Sequence, residues 1–347
     1  MSAAHTWPEV LSGLISRHDL EPGQASWAMG EILEGAATPA QVAGFAVALR
    51  AKGETVDELE GLVAAMYEHA NPLVITGRVL DVVGTGGDRS MSVNISTMSA
   101  IVAAGAGVAV VKHGNRSASS KAGAADVLEA LGIRLDLSPQ AVARVGEEVG
   151  ITFCFSAAFH PAMRHAAPAR RELGVGTTFN FLGPLAHPAK PAAQAVGCAD
   201  LMAAPLMAGV FARRGVDAWV FRGDDGLDEL TTTTTSQVWG VTSGGGVEHF
   251  VVDPGRFGLG GGTEQGLRGG DASHNAQVVR RVVAGETGPV RDAVLLNAGA
   301  ALAVHAAEDG SYDDRLAAGI ERAKDAIDSG RARATLERWI KVSAVRA

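Results

Sequence analysis

Val79-Leu80-Asp81-Val82-Val83, then Gly84-Thr85-Gly86-Gly87-Asp88, then Asn94-Ile95-Ser96-Thr97 opening an alanine-rich stretch: this run decides the fold. A short β-branched segment empties into a glycine-rich loop and then into a helix, and the same order returns from Val108 to Val111, through Lys112-His113-Gly114-Asn115-Arg116, to Ser119-Ser120-Lys121. Strands alternating with helices predict an α/β fold with a parallel sheet. Loops that follow parallel strands lie at the carboxyl edge of the sheet, where such folds place ligands.

Further strands are expected at Ile151 to Phe155, Gln194 to Cys198, Ala218 to Phe221, and around Val238 and Phe250 to Val252. Closing helices are expected at Asp271 to Val283, Arg291 to Val304 and Asp314 to Ile327. Gly244 to Gly246 and Gly258 to Gly262 read as loops, because glycine costs backbone entropy in a regular element. No internal repeat is visible.

Ahead of this region, from about Trp7 to Ala70, apolar residues recur at helical spacing: Trp7, Leu11, Leu14 and Ile15, then Val42, Phe45, Ala46 and Leu49. Thr38-Pro39 reads as a cap followed by a first-turn proline, and Thr55 with Glu58 as a capping box. Asn71-Pro72 ends that pattern. The expected organisation is a helical domain over 1–72, with 162–186 packing back onto it, and an α/β domain made of 73–161 and 187–347.

The chain of 347 residues is long enough for a large core and a second, smaller domain. Its net charge of -8 argues against a nucleic-acid protein built on a broad basic face, while leaving room for a local basic pocket. Cys154 and Cys198, the only cysteines, are too few for a disulfide framework and lack zinc spacing, so a reduced, cytoplasmic setting is the expectation. Met1 to His18 does not resemble a signal peptide, and the longest apolar run, Ala100 to Val111, is too short to span a bilayer; no membrane partner is expected.

In the first loop, missing side chains let backbone N–H groups approach phosphate oxygens, and the helix opening near Ser96 adds its positive end. Asp88 does not favour phosphate by charge, so it either holds a metal-bound water or shapes the turn. The loop is not a dinucleotide fingerprint, since Arg89 stands where the third glycine belongs, and no Walker loop occurs. In the second, Lys112 to Lys121 combines lysine, arginine, amide and hydroxyl donors suited to a dense anion. Asp224-Asp225-Gly226-Leu227-Asp228-Glu229 follows another strand and suits magnesium, which takes a few carboxylates plus waters and phosphates. His160 and His165 lack the spacing of a helical zinc pair, and no Gly-x-Ser-x-Gly elbow is present.

Gly84 to Asp88, Asn94 to Thr97, Lys112 to Arg116, Phe179-Asn180-Phe181-Leu182-Gly183-Pro184-Leu185 and Gly226 to Glu229, in this order, closely resemble the anthranilate phosphoribosyltransferases. The resemblance runs from the helical module to the last helices. It implies a small helical N-terminal domain hinged to a large α/β domain whose central, mainly parallel sheet is flanked by helices, and a homodimer formed through the helical parts. It also implies magnesium-dependent transfer of the phosphoribosyl group of phosphoribosyl pyrophosphate to anthranilate, in tryptophan biosynthesis. By the same resemblance Gly84, Gly87, Asp88, Ser92, Asn94, Ile95, Ser96 and Thr97 bind phosphoribosyl pyrophosphate, with Lys112, His113, Gly114, Asn115, Arg116, Ser117, Ala118, Ser119, Ser120 and Ala124. Gly84, Asn115, His160 and Arg170 border anthranilate, Arg170 as carboxylate anchor, and Ser96, Asp228 and Glu229 organise Mg2+.

Two positions depart from the family pattern: Ala124 replaces a frequent serine, and Ser156-Ala157 replaces the usual Ala-Pro ahead of His160-Pro161. The pyrimidine nucleoside phosphorylases of the same superfamily carry Lys-x-Ser-Thr-Gly-Gly, whose lysine and serine are absent from Val82 to Gly87. A non-enzymatic nucleic-acid-binding relative is opposed by the acidic net charge and the intact acidic pair.

Overall fold

The computed structural model describes residues 5–117, 121–242 and 244–345. In chain order the elements are α1 (Trp7–Ile15), α2 (Pro22–Glu34), α3 (Pro39–Lys52), α4 (Val56–Glu68), β1 (Leu80–Gly84), α5 (Ile95–Gly105), β2 (Val110–Gly114), α6 (Ala124–Leu131), α7 (Pro139–Val149), β3 (Ile151–Phe155), α8 (Ser156–Phe159), α9 (Ala167–Leu173), α10 (Leu182–Leu185) and β4 (Ala193–Gly197). There follow α11 (Ala203–Arg213), β5 (Asp217–Gly223), β6 (Ser236–Val241), β7 (Val247–Val252), α12 (Ala272–Val283), α13 (Pro289–Ala306), α14 (Tyr312–Asp328) and α15 (Arg331–Val345). They form two compact units, Met1–Pro72 with Ser156–Pro188, and Leu73–Phe155 with Ala189–Ala347.

The first unit is helical. Thr38 and Gln41 close a reciprocal cap at the start of α3, and Thr55 and Glu58 do so at α4, each satisfying N–H groups that a helix start leaves without partners. Glu58 is wholly buried, accepting the Leu20 N–H at 2.9 Å and pairing with Lys52 at 2.9 Å, so its charge is compensated where it could not be solvated. The second stretch of this unit starts at Ser156, six residues before the expected 162. Asn71 explains the shift: its N–H bonds the Phe159 carbonyl and its side-chain amide the Ala158 carbonyl, both at 2.8 Å, tying α8 to the end of the first stretch.

The second unit is built on a seven-stranded sheet in the order β3-β2-β1-β4-β5-β6-β7. The first five strands are parallel and the last two antiparallel. Parallel strands need a crossover of a dozen residues or more, and only residues 242–246 separate β6 from β7, so a hairpin is the one connection available there. β1 and β4 read as nearly unbroken apolar runs because both faces are covered. α5 and α13, apolar almost all round, pack on each other and on these two strands.

The chain leaves β1 towards β2 and β3, then returns to β4 on the other side of β1. That reversal of strand order makes a crevice at the carboxyl ends of β1 and β4, the position where open α/β sheets bind ligands. Three closing helices were expected; the structure has a fourth, α15. Its Leu336, Trp339 and Val342 are buried, yet they stand among charged residues and give only a thin apolar stripe. Among the described residues no helix is long and apolar enough to cross a membrane.

Candidate active site

At the crevice, β1 ends in Gly84 and the backbone turns sharply. Gly86 (φ 71°) and Gly87 (φ 89°) are left-handed, and so are two residues that pay sterically for it, Arg89 (φ 61°) and Met91 (φ 55°). The loop is held in that shape from several sides. Asp88 accepts the Ser90 N–H at 3.2 Å and its hydroxyl at 2.8 Å, and Ser90 donates on to Ser92 at 3.1 Å. The Val93 N–H bonds the Leu267 carbonyl at 2.9 Å, and the Gly269 N–H the Met91 carbonyl at 2.8 Å. Of the two roles left open for Asp88, the turn-shaping one is thus directly visible.

α5 begins where this loop ends, so its first N–H groups and positive dipole end face the same region. Ile95 and Thr97 are buried, so their side chains belong to the core and the stretch presents backbone rather than side chains. Asn94 is oriented by two bonds: it donates to the Ala122 carbonyl at 3.1 Å and accepts from Asn275 at 2.8 Å.

The second loop leaves β2. Between β1 and β2 the backbone register is Leu80↔Val110, and beyond it side chains complete the pairing. Asp81, wholly buried, accepts the His113 N–H at 3.0 Å, while Lys112 donates from Nζ to the Val82 carbonyl at 2.5 Å and to the Ser96 hydroxyl at 3.3 Å. Lys112 and His113 therefore lie beneath the two loops. A Cβ at Gly114 would lie 3.0 Å from the Phe153 ring and 3.4 Å from the Ala124 methyl, so the strand end and the start of α6 approach closely.

Asn115 is exposed, its Oδ1 accepting the Arg116 N–H at 2.8 Å. The Arg116 guanidinium pairs with Asp126 at 2.7 Å and Glu129 at 2.6 Å and lies over the Phe155 ring. Asp126 also accepts the N–H groups of Gly123 at 2.8 Å and Ser117 at 3.4 Å, drawing the two ends of the loop together. Ala118, Ser119 and Ser120 lie outside the described residues.

The acidic pair comes from the turn after β5. Asp228 accepts the Gly86 N–H at 2.6 Å and Glu229 the Ser96 N–H at 3.1 Å, so each carboxylate meets the first loop or the helix it feeds. Both residues are buried. The approach is possible because β1 and β4 end in glycine: a Cβ at Gly84 would collide with the Asp228 carboxylate, and one at Gly197 with the Asp228 carbonyl. Burial pushes Glu229 up to about 8 against the pull of Lys112, with Asp88 adding to the rise. Asp228 is raised in the same direction by burial and by its neighbours Asp88 and Glu229.

Two adjacent buried carboxyls, one at the first loop and one at the helix it feeds, fit a divalent cation. Among the described residues no three His, Cys, Asp or Glu side chains are grouped to hold a metal. Mg2+ takes one or two carboxylates and fills its shell with water and phosphate.

The remaining two sequence-nominated residues belong to the helical unit. His160 donates from Nε2 to the Ala186 carbonyl at 2.9 Å; burial, despite that bond, lowers it to about 4, and the ring is neutral. Arg170 lies 5.6 Å from the centre of the Phe179 ring, and burial lowers its pKa. Among the described residues its guanidinium has no ion pair, an arrangement that leaves its donor fork open to a carboxylate.

Sequence reading missed Asp81, Asp126, Gly197 and Asn275. Gly197 carried a signal, a glycine closing a strand run, whereas the other three become meaningful only through partners 9, 32 and 181 residues away.

A helical unit and an α/β unit with anion loops and an acidic pair at the strand-order reversal define a class, the glycosyl transferases that carry a helical bundle. The model for the helical bundle domain of the glycosyl transferase family matches residues 8–70, and that for its a/b domain residues 76–333. Within that class, the chain is 67% identical over 339 residues to an anthranilate phosphoribosyltransferase from a Nocardioides species, covering 98% of this chain and 99% of the relative. It is 58% identical over 341 residues to that of Streptomyces griseus, covering 98% and 96%.

The crystal structure of the Thermus thermophilus anthranilate phosphoribosyltransferase superposes with a TM-score of 0.90 at 40% identity, covering 96% of this chain and 99% of that one. The Saccharomyces cerevisiae enzyme in complex with PRPP and Mg does so with a TM-score of 0.88 at 26% identity, covering 98% of each. The chain belongs to the anthranilate phosphoribosyltransferase family.

Proposed function

We propose that this chain transfers the phosphoribosyl group of phosphoribosyl pyrophosphate to the amine of anthranilate, releasing pyrophosphate, in tryptophan biosynthesis. The observation that carries the reading is the joining of the acidic pair to the anion loops, Asp228 to Gly86 and Glu229 to Ser96. Membership of the family and the PRPP and Mg complex of the yeast relative support it.

The residues bind and position. The N–H groups of Gly87 and Asp88 and the positive end of α5 face the phosphate oxygens, and the Lys112 side chain lies beneath them. Asp228 and Glu229, with Ser96 beside them, would hold Mg2+. When bound, the metal neutralises charge that develops on the pyrophosphate as it departs. The C1–O bond breaks with oxocarbenium character because the ring oxygen supports the cation, so electrostatic stabilisation and alignment carry the rate. Anthranilate's amine is uncharged at neutral pH and requires no strong base, consistent with a neutral His160. The open guanidinium of Arg170 is the group for anthranilate's carboxylate.

The chain acts as a homodimer in the cytoplasm on this reading; exposed Ile15 and Val47 on α1 and α3 and two buried, unpaired cysteines suit it. Loss of anthranilate fluorescence on adding phosphoribosyl pyrophosphate and Mg2+ tests substrate, cosubstrate and metal together. Undiminished fluorescence with all three present would sink the proposal.

A further inference from the structure

The turn that carries the acidic pair has no ladder of its own: residues 224–235 join β5 to β6 outside any helix or strand. Backbone polar groups in such a buried segment must find partners elsewhere. On the β5 side the partners are local. The Gly223 N–H bonds the Leu227 carbonyl at 2.9 Å, and Asp225 accepts the Leu227 N–H at 3.2 Å and the Thr231 hydroxyl at 2.7 Å. On the far side, directly after Glu229, the partner is a side chain from α13.

Asn297 accepts the Leu230 N–H at 2.9 Å through Oδ1 and donates from Nδ2 to the Leu230 carbonyl at 2.8 Å, so both backbone polar groups of that one residue are held by one carboxamide. Its second Nδ2 hydrogen goes to the Ala293 carbonyl at 2.9 Å.

We infer that Asn297 is a positioning residue for the acidic pair, fixing through Leu230 the direction in which Asp228 and Glu229 project; this rests on the functional reading above. The helix does not ask for an asparagine. Asn is a weaker helix former than Ala, and burying an amide costs free energy unless it is bonded. Asn297 is 1% exposed and stands in the otherwise apolar run Ala293 to Val304 of this 18-residue helix, and the Leu230 bonds are what offset that cost. α13 is a rigid platform for the purpose, since it packs on α5, β1 and β4, the elements that carry Ser96, Gly84 and Gly197. Asp228 and Glu229 thus sit between two clamps, Asp225 before them and Asn297 after them.

The test pairs Asn297→Ala with Leu296→Ala, a neighbouring buried residue of α13 that makes no bond to the turn. Half-saturating Mg2+ is measured in the turnover assay, Mg2+·phosphoribosyl pyrophosphate binding by calorimetry, and Mn2+ binding to the free protein by electron paramagnetic resonance. Losing a group that orients metal ligands should weaken metal binding roughly 10–100-fold in Asn297→Ala. In Leu296→Ala only the melting temperature should fall. Parent-like metal binding in Asn297→Ala, or an equal loss in both variants, overturns the inference. Should Asn297→Ala fail to accumulate, Asn297→Ser, which keeps a shorter donor and acceptor, is read in the same way. A parent protein that binds Mn2+ but does not consume anthranilate would defeat the functional reading alone, and the Mn2+ comparison of the variants would still decide the role of Asn297.

Discussion

Gly197→Ala isolates one consequence of the site's construction, because its backbone lies outside the left-handed region and an alanine there adds no conformational strain. The added Cβ would overlap the carbonyl oxygen of Asp228 outright and lie 2.5 Å from its carbonyl carbon. Carbon atoms pack at about 3.5–4.0 Å, so the turn bearing Asp228 must retreat by at least about 1 Å. Overpacking of this size costs about 1–3 kcal/mol in stability. A 1 Å misplacement of groups that align reactants costs about 100-fold in rate. The variant should therefore fold, melt several degrees lower, lose about 100-fold in kcat/KM, and need more Mg2+ for half-saturation, because the shift acts on the carboxylate pair. The assay is anthranilate fluorescence over a Mg2+ series, with a thermal melt in parallel. A kcat/KM within about threefold of the parent would refute the claim that close approach of β4 to the turn sets the site.

Arg170→Ala should raise the KM for anthranilate roughly 10–100-fold, the worth of a charge-assisted hydrogen bond, with phosphoribosyl pyrophosphate binding retained; the reverse pattern would remove it as the carboxylate anchor. Asp228→Asn with Glu229→Gln should abolish the Mg2+-dependent rate while leaving the melting temperature of the metal-free protein at pH 7 equal or higher, since burial works against the charged form of both carboxyls; full activity would dismiss the pair. The same shifts fix a pH dependence. Glu229, raised from 4.5 to about 8, contributes stability below about 4.5 that is lost as pH climbs to about 8. Mg2+ binds the ionised pair, so its gain in melting temperature should be larger at pH 8.5 than at pH 6, and an equal gain at both would contradict it.

The anion loops were legible because their signals are local. A β-branched run followed by Gly84 to Asp88 or by Lys112 to Arg116 describes a strand end and its loop within a dozen residues, and the capping pairs Thr38–Gln41 and Thr55–Glu58 likewise act over one helical turn. α15 was less legible, its three large buried apolar residues being diluted by charge. The bond that ties Asn71 to a segment 87 residues away is one that no periodicity reports.

By itself, then, the sequence determined the element types, the two anion loops and the acidic residues available to meet them, since composition and period act through neighbours along the chain. Tertiary structure alone decided that the loops flank the β1–β4 reversal and that Gly84 and Gly197 admit Asp228. It also decided that Asp81, Asn275 and Asn297 complete hydrogen bonds to partners 32, 181 and 67 residues distant. Those choices depend on which buried polar groups meet once the sheet is assembled, and a buried group's partner is set by space rather than by sequence distance.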